Sequence, residues 1–171
     1  MSKKHPIIAV TGSSGAGTSI AKSAFMYIFR KNGINPAIID GDCFHRYNRN
    51  EMDNLSAEAE KNGKNLTHFG PEGNLFEELE SVFNEYGKNG TGKRRFYIHD
   101  EKEASEHGSA PGTLTSWQSL EENTDLLFYE GLHGGLVTDK INDAKHVDLL
   151  IGVTPIINLE WMQKIHRDRA I

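Results

Sequence analysis

The sequence is short of cysteine, of positive charge and of long apolar runs, and each shortage closes off a class of protein. Its single cysteine, Cys43, excludes an internal disulfide and an all-cysteine zinc site, and suits a reducing compartment. Lys and Arg number 19 against 24 Asp and Glu, a formal charge of −5. The molecule as a whole therefore gains nothing from the counterion release that drives non-specific nucleic-acid binding. Nucleic acid is not an expected partner, and anion recognition has to come from Arg, Lys and His gathered in one cleft. After His5, only the run Pro6 to Val10 precedes Thr11, too short for a signal-peptide core or a membrane-spanning helix. A cytoplasmic protein with no membrane partner is the expectation.

What is there reads as one folded domain over residues 1–171. Hydrophobic residues make up 37% and charged residues 25%, polar for a globular chain but far from the disordered extreme. A domain of this length buries roughly 70% of the surface that its unfolded chain exposes, enough for a sizeable core. No internal repeat, low-complexity tract or linker divides it.

Short apolar runs alternate with helical patterns. Pro6 to Val10 reads as a buried parallel strand that ends in a Gly-rich stretch. Ile20, Ala21, Ala24, Phe25, Ile28 and Phe29 then recur at helical spacing until Asn32-Gly33. Pro36 to Asp40 reads as a second strand, completing a βαβ unit with a right-handed crossover. Further on, the pattern predicts an exposed helix around Asn54 to Lys61 and another from Asn74 to Tyr86. A strand follows from Arg94 to His99, and Glu101 to Gly112 reads as a loop. Leu126 to Tyr129 and Val147 to Val153 read as strands, and the last helix runs near Asn158 to Arg169. The expected fold class is α/β, a three-layer sandwich around a mainly parallel sheet.

Gly12-Ser13-Ser14-Gly15-Ala16-Gly17-Thr18-Ser19 follows a predicted strand and opens a predicted helix. It matches the phosphate-binding loop at every fixed position except the lysine, where Thr18 stands. Glycines let backbone N–H groups converge on an anion, the helix start adds partial positive charge, and Ser19 can reach Mg²⁺. The loss is one formal charge beside the β and γ phosphates. The competing reading is a Gly/Ser-rich turn with no ligand.

Ligands of open α/β sheets bind beyond the C-terminal ends of the strands. The segment Asp40 to Arg49 leaves the second strand there, which makes Asp42 a candidate base for a substrate hydroxyl. His45 and Arg49, four apart, would share a face if this segment is helical and would suit a substrate phosphate. A capping Asp and surface cations explain the same residues without a ligand. Leu126 to Gly131 is an apolar run ending in Glu130, where phosphate-loop enzymes carry an acid that organises Mg²⁺ or water. Lys164, Arg167 and Asp168 crowd the final helix, whose basic residues could replace the charge missing at Thr18; a helix end complementing its macrodipole reads equally well. Cys43 has no evident activating base and reads as a packing residue. His99-Asp100 reads locally as a satisfied pair, and His68, His99 and His107 lack a metal-ligand spacing.

Taken together, the segments 5–19, 41–49, 97–100, 127–134 and 157–170 resemble bacterial phosphoribulokinases, with the weakest match over 51–73. The Thr at the lysine position is itself a feature of that family's loop, whereas related kinases of uridine and pantothenate normally keep the lysine. The resemblance implies the P-loop nucleoside triphosphate hydrolase fold and ATP-dependent phosphorylation of the 1-hydroxyl of D-ribulose 5-phosphate, giving ribulose 1,5-bisphosphate for carbon dioxide fixation. It assigns ATP to Gly12 to Ser19, Mg²⁺ to Ser19, Glu130 and Asp168, and the base to Asp42. Glu130, Arg167 and Asp168 join Asp42 as catalytic residues, while His45, Arg49, Tyr97, His99 and Lys164 face the sugar phosphate. Members of the family continue beyond the segment 166–170 into a lid, further strands and oligomer contacts, so the chain is expected to lack that C-terminal part; a homo-oligomer stays open. Two alternatives stay open as well: a nucleotide-binding module without turnover, and a kinase of another small phosphorylated hydroxyl compound.

Overall fold

The structure, a computed structural model, describes residues 4–169; within the last helix the side chains of Ile157, Glu160, Gln163, Arg167 and Asp168 lie outside that description. Four strands, β1 (Ile7–Gly12), β2 (Pro36–Asp40), β5 (Leu126–Gly131) and β6 (Leu149–Val153), form a parallel sheet in the order β2-β5-β1-β6. Successive residues of a strand face opposite sides, and the two core clusters follow that alternation. Ile7, Ala9, Leu127 and Tyr129 pack with Leu79, Val82, Phe83 and Tyr86 of helix α3 (Phe76–Asn89). On the other face, Ile8, Val10 and Phe128 pack with Ala21, Phe25 and Phe29 of helix α1 (Thr18–Lys31). Helices thus cover both faces, which is the expected three-layer α/β sandwich.

The helical spacing in α1 contained more apolar residues than the sheet uses. Ala21, Phe25 and Phe29, four apart, form the packed stripe, while Ile20 and Ile28 remain 72% and 46% exposed.

Helix α2 (Arg49–Lys61) begins five residues before the expected exposed helix. A reciprocal cap sets this start: Asn48 accepts from the Glu51 N–H, and Glu51 accepts from the Asn48 N–H, both at 2.9 Å. Asn74 and Leu75, expected inside α3, precede it, because the Asn74 side chain is spent on the loop before the helix. Its Nδ2 donates to the carbonyls of His68 and Gly70.

Two expectations are corrected. Glu101 to Gly112 is not all loop: helix α4 (Glu101–His107) occupies its first half. Asp100 caps it by accepting from the Glu103 N–H at 2.9 Å, Glu103 accepts from the His99 N–H, and Gly108 ends it in the left-handed region. The Asp-x-x-Glu spacing was in the sequence; Asp100 is satisfied by this cap, while the His99 ring lies 3.5 Å from Asp42. Arg94 to His99 is not a regular strand either. Only Lys93–Arg94 (β3) pairs antiparallel with Gln118–Ser119 (β4), followed by a single bridge from Tyr97 to Leu114. The ladder breaks because the Phe96 N–H donates to the Thr115 hydroxyl rather than to a backbone carbonyl.

Candidate active site

β1 ends in the loop Gly12 to Ser19, and α1 begins at Thr18. A Cβ on Gly12 would lie 2.7 Å from the Val153 carbonyl and 2.9 Å from Thr18 Cγ2, so the loop closes against β6 only with glycine there. Gly15 and Gly17 adopt φ of 88° and 98°, open to glycine and strained for other residues. Gly17, the N-cap of α1, has no side chain to offer as a cap, which suits a helix start that receives an anion.

Beyond the strand ends a cavity of about 760 Å³ brings most of the expected residues together. Gly12, Ser13, Ser14, Gly15, Thr18 and Ser19 form one wall, whereas Ala16 is buried behind the loop. Asp42, His45 and Arg49 face it from the segment after β2, Tyr97 and His99 from beyond β3, Glu130 from β5 and Lys164 from helix α5 (Ile157–Arg169). The Arg167 and Asp168 side chains lie outside the described residues, so their expected roles have no geometry here.

His45 and Arg49 do not share a helix face. Gly41–Phe44 is a single 3-10 turn, His45 sits in an isolated bridge with Asn74, and Arg49 opens α2. The reason is the cap at Asn48, which demands extended backbone just before α2. Both residues line the cavity all the same, brought there from separate elements.

Asp42 stands between two imidazoles: His45 Nε2 lies 3.3 Å from Oδ1 and His99 Nε2 lies 3.5 Å from Oδ2. Burial alone would raise the Asp42 carboxyl, but the hydrogen bond and charge of His45, with His99 and His133 adding to it, bring it below its ordinary value. Asp42 is therefore a carboxylate at neutral pH. Burial likewise lowers the His45 imidazole, yet Asp42 and the Asn74 amide oxygen, 3.0 Å from Nδ1, raise it above the ordinary histidine value overall. His133 goes the other way: burial lowers it, and its Nε2 lies 3.1 Å from the Phe69 carbonyl, which can only accept.

Sequence reasoning missed Lys22 and Asp40. Lys22 follows Thr18 by four residues on α1, hence on the same face one turn later. Its Nζ lies 3.2 Å from Asp40 Oδ2 and 3.6 Å from Glu130 Oε2. Burial opposes the charge of Lys22, but the two carboxylates outweigh it and hold the ammonium above its ordinary value. Asp40 also accepts from the Asp42 N–H at 3.1 Å, so it ties the candidate base to the end of β2. The four-residue spacing was the available signal for Lys22.

Ser19 and Glu130 offer hard oxygen donors on the same cavity, the donor type that Mg²⁺ prefers. Among the described residues no group of three or more His, Cys, Asp or Glu side chains is placed to hold a metal ion. Ser19 and Glu130 thus fit as two oxygen ligands of a magnesium ion and do not by themselves complete its shell.

A parallel sheet with helices on both faces, and a glycine loop running from its first strand into a helix, defines a phosphate-loop α/β protein. The chain belongs to the phosphoribulokinase / uridine kinase family, whose model matches residues 7–171. It is 58% identical over 170 residues to a phosphoribulokinase of Nitrobacter vulgaris, covering 99% of this chain and 59% of that protein. A chromosomal phosphoribulokinase of Cupriavidus necator is 55% identical over 170 residues, with 99% and 58% covered. The solved phosphoribulokinase from Rhodobacter spheroides superposes with a TM-score of 0.87 at 48% identity, again over 99% of this chain and 58% of that one. The chain thus spans less than two thirds of the length of these relatives.

Proposed function

We propose that the chain carries the ATP and substrate sites of a kinase that transfers the γ-phosphoryl group of ATP to the 1-hydroxyl of D-ribulose 5-phosphate, giving ribulose 1,5-bisphosphate and ADP. The observation that supports this best is the placement of Asp42, an ionised carboxylate between two histidines, in one cavity with the phosphate loop. The relatives' names supply the substrate. Residues 1–171 act as one domain in this reading, and the cytoplasm is its place of work.

The loop Gly12 to Ser19 and the start of α1 hold the nucleotide's phosphates through backbone N–H groups. Ser19 and Glu130, with Asp168, would hold Mg²⁺, which supplies charge neutralisation on the phosphate oxygens when bound. Asp42 accepts the proton of the attacking hydroxyl, so the oxygen gains nucleophilicity as its bond to phosphorus forms and the bond to the ADP oxygen breaks. His45, Arg49 and Lys164 bind the phosphate that the sugar already carries, while Tyr97 and His99 close the sugar side of the cavity. Arg167 supports the transfer. Most of the rate then comes from positioning and from preorganised charge.

The test is ADP release by the purified chain with Mg²⁺, with and without ribulose 5-phosphate, in wild type and Asp42→Asn. Sugar-dependent release that falls by about 10²–10⁴ in the variant, with ATP affinity unchanged, is the expected result. Nucleotide binding without sugar-dependent release would reassign these residues to a nucleotide-binding module.

A further inference from the structure

The proposed transfer leaves Lys22 without a task, yet it occupies the centre of the strand-end acids. Asp40 and Glu130 are register partners on the adjacent parallel strands β2 and β5, so their carboxylates emerge side by side. Lys22 reaches both from α1, at 3.2 and 3.6 Å, and Glu130 is only 8% exposed. Two carboxylates this close repel each other and attract any cation small enough to enter.

We propose that Lys22 is the resident counter-ion of this pair, standing where a divalent cation would otherwise bind, so that metal enters only together with the phosphates of a nucleotide. The inference rests on the reading of Glu130 as the acid on the metal side of the site, and deepens it. A free divalent ion approaching Glu130 meets the ammonium of Lys22 within a few ångströms and finds too few protein oxygens to replace the waters it would have to shed. A nucleotide changes both conditions, because its phosphates bring negative charge and the missing oxygens. Lys22 keeps its shorter contact, to Asp40, when Glu130 turns to the metal. The same residue restores a positive charge to the helix face where Thr18 replaces the loop lysine.

Nucleotide-free Mn²⁺ binding, read by electron paramagnetic resonance of the free ion, tests this on the 171-residue chain. Lys22→Met should bind Mn²⁺ at least about tenfold more tightly than wild type, Lys22→Arg should match wild type, and Glu130→Gln added to Lys22→Met should abolish the gain. Lys22→Gln serves the same comparison if the methionine variant does not fold. Unchanged Mn²⁺ affinity in a folded Lys22→Met or Lys22→Gln variant overturns the proposal. So does saturable nucleotide-free binding by the wild type that Glu130→Gln removes. None of these readings requires turnover, so a chain that fails to phosphorylate ribulose 5-phosphate still decides the role of Lys22.

Discussion

At the scale of single residues, the charge states around Asp42 set what the cavity can bind. The His45 pKa is raised above its ordinary value of 6.5. The folded form thus holds its proton more tightly than the unfolded chain, and the associated stability is present below 6.5 and lost as pH rises through the raised value. Under the proposed function, a sugar phosphate bound by protonated His45 would follow the same sign. Affinity for ribulose 5-phosphate should fall roughly tenfold as pH climbs through that range, and His45→Gln should be weak and flat throughout; calorimetry across the pH series checks it. Cys43 behaves oppositely to an activated thiol, since burial in the core pushes it up to about 12, in keeping with a packing residue.

At the scale of elements, the site depends on how closely two strand exits approach. Gly41 follows β2 and Gly131 ends β5; a Cβ on Gly131 would lie 2.8 Å from Gly41 Cα and 2.8 Å from the Tyr129 hydroxyl. That contact sets the distance between Asp42 and Glu130, because each sits one residue from one of these glycines. Gly131→Ala must push the exits apart, and the overpacking should cost about 1–3 kcal/mol in urea unfolding while also weakening sugar-phosphate binding. A variant as stable as wild type with unchanged binding would show that the exits can part freely. The capping residues work at this scale too: Asn48 starts α2 and Asp100 starts α4, and both caps aim the residue beside them, Arg49 and His99, at the cavity.

At the scale of the whole molecule, the connection between β5 and β6 is held down at a charged seam. Asp143 is fully buried, neither of its carboxylate oxygens has a hydrogen-bond partner among the described residues, and burial with the nearby Glu80 charge pushes it up to about 7. An acid raised from 3.8 to about 7 on folding removes stability as pH rises through that window, because the unfolded chain loses the proton first. Asp143→Asn should therefore gain at least about 2 °C more in Tm over wild type at about pH 8 than at about pH 5. Equal gains at both values would mean that Asp143 does not titrate there. After this seam the chain enters β6, one of the two outer strands of the described sheet, whose Leu149 and Leu150 are 46% and 45% exposed. Among the described residues no helix is long and apolar enough to cross a membrane.

Local signals in the sequence determined the sheet strands, the phosphate loop and the identity of Asp42, Glu130 and the cations around them, because buried strands, glycine loops and strand-end acids depend on short stretches of chain. They were weakest where polar residues do structural work: Asn48 and Asp100 as caps, and Thr115 breaking a ladder, depend on one hydrogen bond rather than on a periodic pattern. The pairing of Lys22 with Asp40 and Glu130 could come only from the tertiary structure. It joins residues 18 and 108 positions apart, and their meeting follows from β2 and β5 lying side by side in register while α1 packs over β1 and β5. The bracketing of Asp42 by His45 and His99 has the same origin, since the two histidines lie 54 positions apart in the chain.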